Sequence, residues 1–475
     1  MHLSNVPSRG KTPHWHQGKR ALAFALIGVA ATMPFALLLR SQIAVHNQGY
    51  LPFSDAPIRY QSDDVDDPVA RLQRRIDAGL AHLEWTEKGG YLQSVLRQLH
   101  VPVSSQTLVF SKTSFQYKKI SPSTPRALYF NDDVYVGFVN NGRVLELVSF
   151  DSMKGAIFYL LDVNKQEHPV FQRAELDCTQ CHIATATRGV PGVLLRSVYT
   201  TPTGMQSPYT AAEVTGQDTP LRERWGGWYV TGTHGSQRHM GNVLVTDQDQ
   251  PETLNVEAGA NVTSLEGRFN ASPYLTSQSD IVAHLVLGHQ TQMHNLITLT
   301  NYQTRIAQYR AKQTTAGGSA SPPDSPDFHK TAEDTLRYLL FTNEAPLTDP
   351  VKGTSTFAQD FAALGPFDRR GRSLRQFDLK TRIFRYPCSY LIYSEDWDAL
   401  PAPAKGYLYH RLHQVLTGAD TSPDFAHLSA SARRAILEIL LDTKPDLPAE
   451  WHQSHSQQLH AQLELGRKQS ALATN

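Results

Sequence analysis

The sequence predicts an α+β protein with an N-terminal membrane helix, a small antiparallel sheet leading into a cysteine motif at 178–182, and a mostly helical C-terminal half. An uncharged, mainly apolar run at 21–39 suggests the membrane helix. Segments rich in β-branched and aromatic residues, separated by turn signals, lie between 107 and 161 and predict the sheet. Apolar residues at helical spacing return after 329.

The N-terminal segment combines a basic stretch at 1–20 with the apolar run at 21–39, which Arg40 closes. Its 19 residues are enough to cross a bilayer, and no good small-x-small cleavage site follows them. We expect a single-pass anchor, with a cleaved signal peptide as the alternative. The positive flank stays in the cytoplasm. The chain beyond a tether at 40–67 is therefore expected in the periplasm, on the outer side of the bacterial inner membrane.

The next elements are a helix and a sheet. Asp67 followed by Pro68 is typical of a helix start, with an N-cap and a proline in the first turn. The turn signals Asn140-Asn141-Gly142 and Lys154-Gly155 separate strand-like segments, which together predict about four antiparallel strands. These segments are Leu108–Phe110, Ala127–Phe130, Val134–Val139, Arg143–Phe150 and Ala156–Leu161.

Two of the three cysteines belong to the motif Cys178-Thr179-Gln180-Cys181-His182. This spacing is the attachment signature of a c-type haem, in which both thiols bond to one porphyrin and the following histidine binds the iron. A redox disulfide does not require the histidine. A zinc site needs about four ligands, and only Cys388, interpreted as a buried apolar residue, remains. We therefore expect one covalent haem c on Cys178 and Cys181, with His182 as the proximal iron ligand.

The second iron ligand is predicted less directly. In the run 222–242, Trp, Tyr, His and Met alternate with Gly, which lets the backbone approach a large flat group. The run either lines the haem pocket or is a loop stabilised by its own aromatic residues. We expect His239 or Met240 as the distal ligand. His289 is the runner-up, on a helix over Ile281–Tyr309 that we expect Ser279 or Asp280 to cap. The polar residues of this helix are otherwise expected to face solvent. Other distal candidates are Met205, His234, Met293 and His294, and candidate partners of the haem propionates are Arg188, Arg196, Arg238, Trp225 and Trp228.

Three regions are expected beyond the tether: a haem-binding α+β domain at 68–310, a flexible linker or loop at 311–328 and a mostly helical region at 329–475. Gly317-Gly318-Ser319 and Pro322-Pro323 suggest the linker. We expect a short strand or an extended segment at residues 382–393. The expected C-terminal helices are Thr331–Phe341, Thr356–Leu364, Lys405–Leu416, Ala430–Leu441 and Ala449–Leu465.

The motif resembles that of c-type cytochromes, and the resemblance implies thioether bonds at Cys178 and Cys181 and iron ligation by His182. A broader similarity to bacterial monohaem proteins described only as cytochrome c domain-containing implies haem and electron transfer, and it supplies no substrate. The segments that carry it are Tyr129–Tyr159, Asp177–Val198, Trp225–Asn242 and Arg382–Tyr393.

The function expected from these features is electron transfer by a membrane-anchored periplasmic cytochrome that meets a redox partner protein. A net charge of +1 gives no basic field for nucleic acid. The 475-residue chain far exceeds the roughly hundred residues that a one-haem carrier needs, so additional binding functions are expected. The alternatives are a haem enzyme with an open distal site, of the peroxidase type, and a haem-based sensor or scaffold. No catalytic residue is assigned.

Overall fold

The computed structural model describes residues 51–174, 176–317 and 327–453. Its α-helices are α1 (Pro68–Asp77), α2 (Leu92–Gln98), α3 (Leu176–His182), α4 (Ile281–Gly317), α5 (Phe328–Leu339), α6 (Phe357–Ala363), α7 (Glu395–Asp398), α8 (Ala402–Thr417) and α9 (Ala430–Thr443). Its strands are β1 (Thr107–Val109), β2 (Arg126–Phe130), β3 (Val134–Val139), β4 (Val144–Asp151), β5 (Gly155–Asp162), β6 (Gln172–Arg173), β7 (Arg196–Val198), β8 (Ala212–Val214), β9 (Trp228–Tyr229), β10 (Gly232–Thr233) and β11 (Lys352–Gly353). Residues 449–453 are also helical.

The main sheet is antiparallel and has seven strands in the order β6-β5-β4-β3-β2-β1-β9. Strands β2 to β5 follow one another as hairpins, and the predicted turn between β3 and β4 is confirmed. Asn141 there has a φ of 56°, and the Gly142 N–H donates to the Val139 carbonyl at 2.8 Å. Strand β9 comes from the run 222–242 and pairs with β1, where Leu108 lies opposite Tyr229.

The two faces of the sheet cover different hydrophobic cores, because successive strand residues point to opposite sides. Tyr129 and Ile157 point into a core that includes residues of α1 and α2. Phe130, Tyr135 and Phe158 point into a second core, which contains α4 and residues of the C-terminal helices. The regions predicted as 68–310 and 329–475 therefore share one core.

Helix α4 is buried at every position from 281 to 304, so the expectation of a solvated polar face is wrong. Many of its polar side chains form hydrogen bonds with neighbouring segments, which makes their burial possible. The Tyr302 hydroxyl donates to the Lys154 carbonyl at 2.8 Å. The hydroxyl oxygens of Thr300 and Thr335 lie 2.8 Å apart and form a hydrogen bond. Of the two predicted caps, Ser279 and Asp280, it is Asp280 that caps the first turn, accepting from the Val282 N–H at 2.7 Å.

Only part of the predicted N-terminal region falls within the described residues. Residues 1–20 and the apolar run 21–39 lie outside the described residues. From Leu51 onwards the segment expected to be a tether packs against the sheet. Tyr60 is buried there and donates its hydroxyl to the Ala156 carbonyl at 2.8 Å. Asp67 caps α1 as predicted, accepting from the Val69 N–H at 2.9 Å.

The protein is α+β as predicted, but the rest of the predicted fold class is wrong. No helix within the described ranges is long and apolar enough to cross a membrane. The sheet is larger than predicted, because β6 pairs with β5 at one edge and β9, from beyond the cysteine motif, pairs with β1 at the other. The C-terminal half is only partly helical, since residues 364–389 contain no helix. Residues 382–393 form no strand, only an isolated bridge and the 3-10 turn Tyr390–Tyr393.

The expected C-terminal helices at 331–341, 356–364, 405–416 and 430–441 are confirmed as α5, α6, α8 and α9. The last expected helix is visible only at 449–453, and its remainder lies outside the described residues. The expected linker at 311–328 is helical up to Gly317, and residues 318–326 also lie outside them.

Candidate haem-attachment site

The cysteine motif forms helix α3, which follows β6 at the edge of the main sheet. Positions three apart on an α-helix differ by about 60° around its axis, so Cys178 and Cys181 lie on the same side. Cys178 is half-buried and packs against the core around α4, whereas Cys181 is exposed. Both positions therefore lie at the protein surface, next to an apolar region.

Among the described residues, the imidazole of His182 has one hydrogen-bond partner. Its Nδ1 lies 2.8 Å from the Gly192 carbonyl oxygen, and because that oxygen only accepts, Nδ1 carries the proton. The other ring nitrogen, Nε2, has no hydrogen-bond partner in the described part of the chain. Burial lowers the pKa of His182, which keeps the ring neutral. A metal-binding histidine typically has this arrangement, with one N–H donated to a carbonyl and the other nitrogen available.

The loop from Ile183 to Gly192 folds back onto the motif. The Gly192 N–H donates to the His182 carbonyl at 3.0 Å, so backbone and side chain of the histidine contact the same residue. Asn295 of α4 fixes the next residue, since its amide donates to the Val193 carbonyl at 2.8 Å and accepts from the Val193 N–H at 3.0 Å. The position of the His182 ring therefore depends on a residue of the buried central helix.

The surroundings of His182 come from the sheet. Its ring centroid lies 4.9 Å from that of Phe158 on β5. After burial and the bond to Gly192, the charges that act most on the pKa of His182 are Arg126 and Arg196, which lower it, and Glu146, which raises it. Arg126 on β2 and Glu146 on β4 form an ion pair at 2.7 Å across the intervening strand β3. Sequence reasoning missed Arg126, Glu146 and Phe158, although strand periodicity places all three on one face.

The predicted distal ligands His239 and Met240 lie in a different environment. His239 is buried, and its Nδ1 accepts from the Gly241 N–H at 3.0 Å. Its ring lies 5.1 Å from that of Trp225 and 4.7 Å from that of His234. The Sδ of Met240 lies 3.7 Å from the hydroxyl of Ser197. Within the described ranges these contacts share no residue with those of the His182 ring, and iron ligation by either residue stays a prediction.

The runner-up, His289, is bonded through both ring nitrogens. Its Nδ1 lies 2.6 Å from Oε1 of Gln217 and its Nε2 lies 2.7 Å from Oγ of Ser389. The ring stacks on Phe341 with centroids 4.5 Å apart, and burial lowers its pKa to about 3. Iron ligation by His289 would require one of these bonds to break.

The other candidate ligands are also dispersed. Both ring nitrogens of His294 lie within hydrogen-bonding distance of a partner, Nδ1 at 3.2 Å from Asp396 and Nε2 at 2.7 Å from the Asp132 carbonyl. His234 likewise uses both nitrogens. Met205 is exposed and Met293 is buried.

Among the predicted propionate partners, only Arg196 acts on His182 through its charge. It is exposed, and the indole of Trp228 donates to its carbonyl at 2.8 Å. Arg238 forms an ion pair with Glu257 at 2.7 Å. Arg188 and Trp225 each hold a buried nitrogen, Nε and Nε1, without a hydrogen-bond partner in the described part of the chain.

The donor set at the motif fits a covalently attached haem. Two thiols on one side of a surface helix precede a neutral imidazole with an available nitrogen. Among the described residues, no group of three or more His, Cys, Asp or Glu side chains is arranged to hold a bare metal ion. The chain matches no protein-family model, no curated protein and no solved structure.

Proposed function

We propose that the protein is a c-type cytochrome with one covalently attached haem and that it transfers electrons. The observation that carries this proposal is the state of His182, whose Nδ1–H is held by the Gly192 carbonyl while Nε2 has no partner in the described part of the chain. The haem supplies one-electron redox chemistry at its iron. Support also comes from the Cys178-x-x-Cys181-His182 spacing.

The chain's own residues have separate roles in this proposal. Cys178 and Cys181 form the thioether bonds, and His182 is the proximal ligand. Gly192 orients the imidazole and keeps the proton on Nδ1. Asn295 holds the loop in place from α4.

We also propose that the protein acts in the periplasm, at the inner membrane of a bacterium, with a redox partner protein. Covalent attachment of this kind takes place outside the cytoplasm, and the basic and apolar stretches before residue 40 suit export. The exposure of Cys181 supports electron transfer to a partner, because it places the attachment helix at the surface.

A second candidate function is binding of a small ligand at an open iron, as in a haem enzyme or a haem-based sensor. The hydrogen bonds of His289 and His239 favour it. Both side chains are hydrogen-bonded to residues of the described ranges that do not contact the His182 ring, which supports an iron without a second protein ligand. Such a site would leave the sixth iron position to water or to a diatomic ligand.

Absorption spectra of the full chain, exported together with haem-maturation proteins, test both functions. We expect covalent haem in the wild type, haem that is loosely held or lost in Cys178→Ala and Cys181→Ala, and a strongly altered spectrum in His182→Ala. The control is His329→Ala, an exposed histidine on α5, which should leave the spectrum unchanged. Reduced low-spin bands that do not respond to carbon monoxide support electron transfer, and bands that shift support the second function. A wild type without covalent haem would refute both.

A further inference from the structure

The face of the main sheet next to His182 can be followed from strand to strand. Phe158, which contacts the His182 ring, lies opposite Val148. Two residues further along β5 on the same face is Leu160, which lies opposite Glu146. The row continues through Gly137 to Leu128. We call Leu128, Gly137, Glu146 and Leu160 the platform row.

The platform row lies at the margin of the core that contains α4, and Leu128 packs against that core. On β5 the core around α4 includes Ala156, which is fully buried, and Phe158, which is 3% exposed. Leu160 and Leu128 are only half-buried, although they continue the same face. The apolar surface beside the attachment helix is therefore incompletely covered by the described residues. A flat apolar group placed beside His182 would remove this surface from water.

The middle of the platform row is flat because position 137 has no side chain. The guanidinium of Arg126 lies across Gly137, so a Cβ there would be 2.8 Å from Nε and 3.0 Å from Cζ. Glu146 holds this orientation through an ion pair at 2.7 Å and is itself held by the hydroxyl of Ser114 at 2.8 Å and the amide of Gln116 at 2.9 Å. Nε of Arg126 is buried without a hydrogen-bond partner in the described part of the chain.

A buried guanidinium N–H without an acceptor is costly, and a carboxylate is its best partner. The net charge of the immediate surroundings also favours an anion. The positive charges of Arg126 and Arg196 both affect the His182 ring. The negative charge of Glu146 is already engaged, because its carboxylate accepts from three side chains. A row with a leucine at each end and a preoriented arginine between them fits a flat apolar ligand that carries carboxylates.

We propose that the platform row is the surface on which the haem attached at Cys178 and Cys181 packs, and that Arg126 binds one of its carboxylates. This inference rests on the proposed function and assigns binding residues from strands that precede the motif in sequence. The sheet thus contributes to cofactor binding as well as supporting the attachment helix.

The apolar part of the proposal is tested on the haem-loaded full chain with Gly137→Val and Leu160→Glu. Both variants keep the attachment motif, so covalent haem should remain, while the Soret circular dichroism should fall by at least half because the surroundings of the macrocycle change. The control is Leu80→Glu, since Leu80 is 73% exposed after α1, away from this face. Loaded variants with wild-type Soret dichroism would overturn the proposal. A wild type without haem would instead overturn the proposed function.

The role of Arg126 is tested by the pH dependence of the reduction potential in Arg126→Gln, with Arg126→Lys as the conservative variant. Loss of the guanidinium should raise the pKa of the bound carboxylate, so the potential should change with pH between about 5 and about 8 more steeply than in the wild type. Arg126→Lys should restore most of the wild-type profile. Arg143→Gln, at an exposed position on the hairpin before β4, is the control and should leave the slope unchanged. Equal slopes in the wild type and Arg126→Gln would refute carboxylate binding by Arg126.

Discussion

Asn295 is the residue through which α4 controls the histidine of the attachment motif. Its amide group bonds both the N–H and the carbonyl of Val193, and the preceding residue, Gly192, accepts from Nδ1 of His182. Replacement by leucine keeps a side chain of similar size and removes both bonds. We expect Asn295→Leu to destabilise the protein and to release the loop that orients the imidazole.

The size of the effect follows from the burial of Val193, which is 5% exposed. A buried polar group that loses its partner costs about 1–3 kcal/mol, so the two backbone groups together give about 2–6 kcal/mol. The apolar leucine offsets part of this loss, by about 1 kcal/mol. The free energy of unfolding should therefore fall by about 1–5 kcal/mol, out of the roughly 5–15 kcal/mol typical of a folded protein.

Urea denaturation measures the loss of stability, and the absorption spectrum of the haem-loaded protein measures the effect on His182. The matched control is Asn301→Leu, because Asn301 is also buried on α4 and bonds the Ser152 carbonyl at 3.3 Å. Both variants should be less stable, but only Asn295→Leu should alter the haem spectrum. Equal spectra in the two variants, or full stability in Asn295→Leu, would refute the reasoning.

Three further predictions concern single side chains. Burial, followed by the charges of Asp396 and Asp132, raises the pKa of Asp133 from 3.8 to about 7. The wild type should therefore lose stability as the pH rises from about 4 through about 7, by up to about 4 kcal/mol relative to Asp133→Asn. If the free energies of unfolding of the wild type and Asp133→Asn, measured with urea, changed equally with pH across this range, the prediction would be contradicted. Gly192→Ala should cost about 1–3 kcal/mol in urea denaturation, because its Cβ would overlap the Asn295 amide oxygen and lie 2.9 Å from Cγ; wild-type stability would argue against this contact. Cys388 is fully buried, so iodoacetamide should modify it only after unfolding, as mass spectrometry of native and denatured protein would show.

The local elements were largely predictable because their signals are short-range. The Asn140-Asn141-Gly142 turn and the alternation around it placed β3, β4 and β5 within one or two residues of their observed ends. The cap at Asp67 and the start of α4 at Asp280 followed from side-chain oxygens that accept from the first free N–H groups of a helix. Each of these features depends on residues within a few positions of one another.

Long-range pairing could not be predicted in the same way. Nothing near Trp228 indicates that it pairs with Val109, more than a hundred positions earlier, because edge pairing leaves no periodic signal of its own. Helix α4 was misjudged for a related reason. Polar residues such as His289 and Asn295 normally indicate a solvated face, but here each has a partner from a distant segment.

The same physics explains why the sequence could indicate the candidate attachment residues but not their surroundings. The spacing that covalent haem attachment requires spans five residues, so the candidate motif Cys178-x-x-Cys181-His182 could be recognised locally. Phe158 from the sheet contacts the His182 ring, the charge of Arg126 acts on its pKa, and Asn295 from α4 supports it through the loop at Gly192. Only the tertiary fold brings these residues together. A one-haem carrier needs only a short chain, so the length of this protein becomes intelligible if the sheet and α4 position the imidazole and cover one side of the cofactor. Arg126→Gln and Asn295→Leu test these two contributions separately, because one changes the charge beside the ring and the other changes its support.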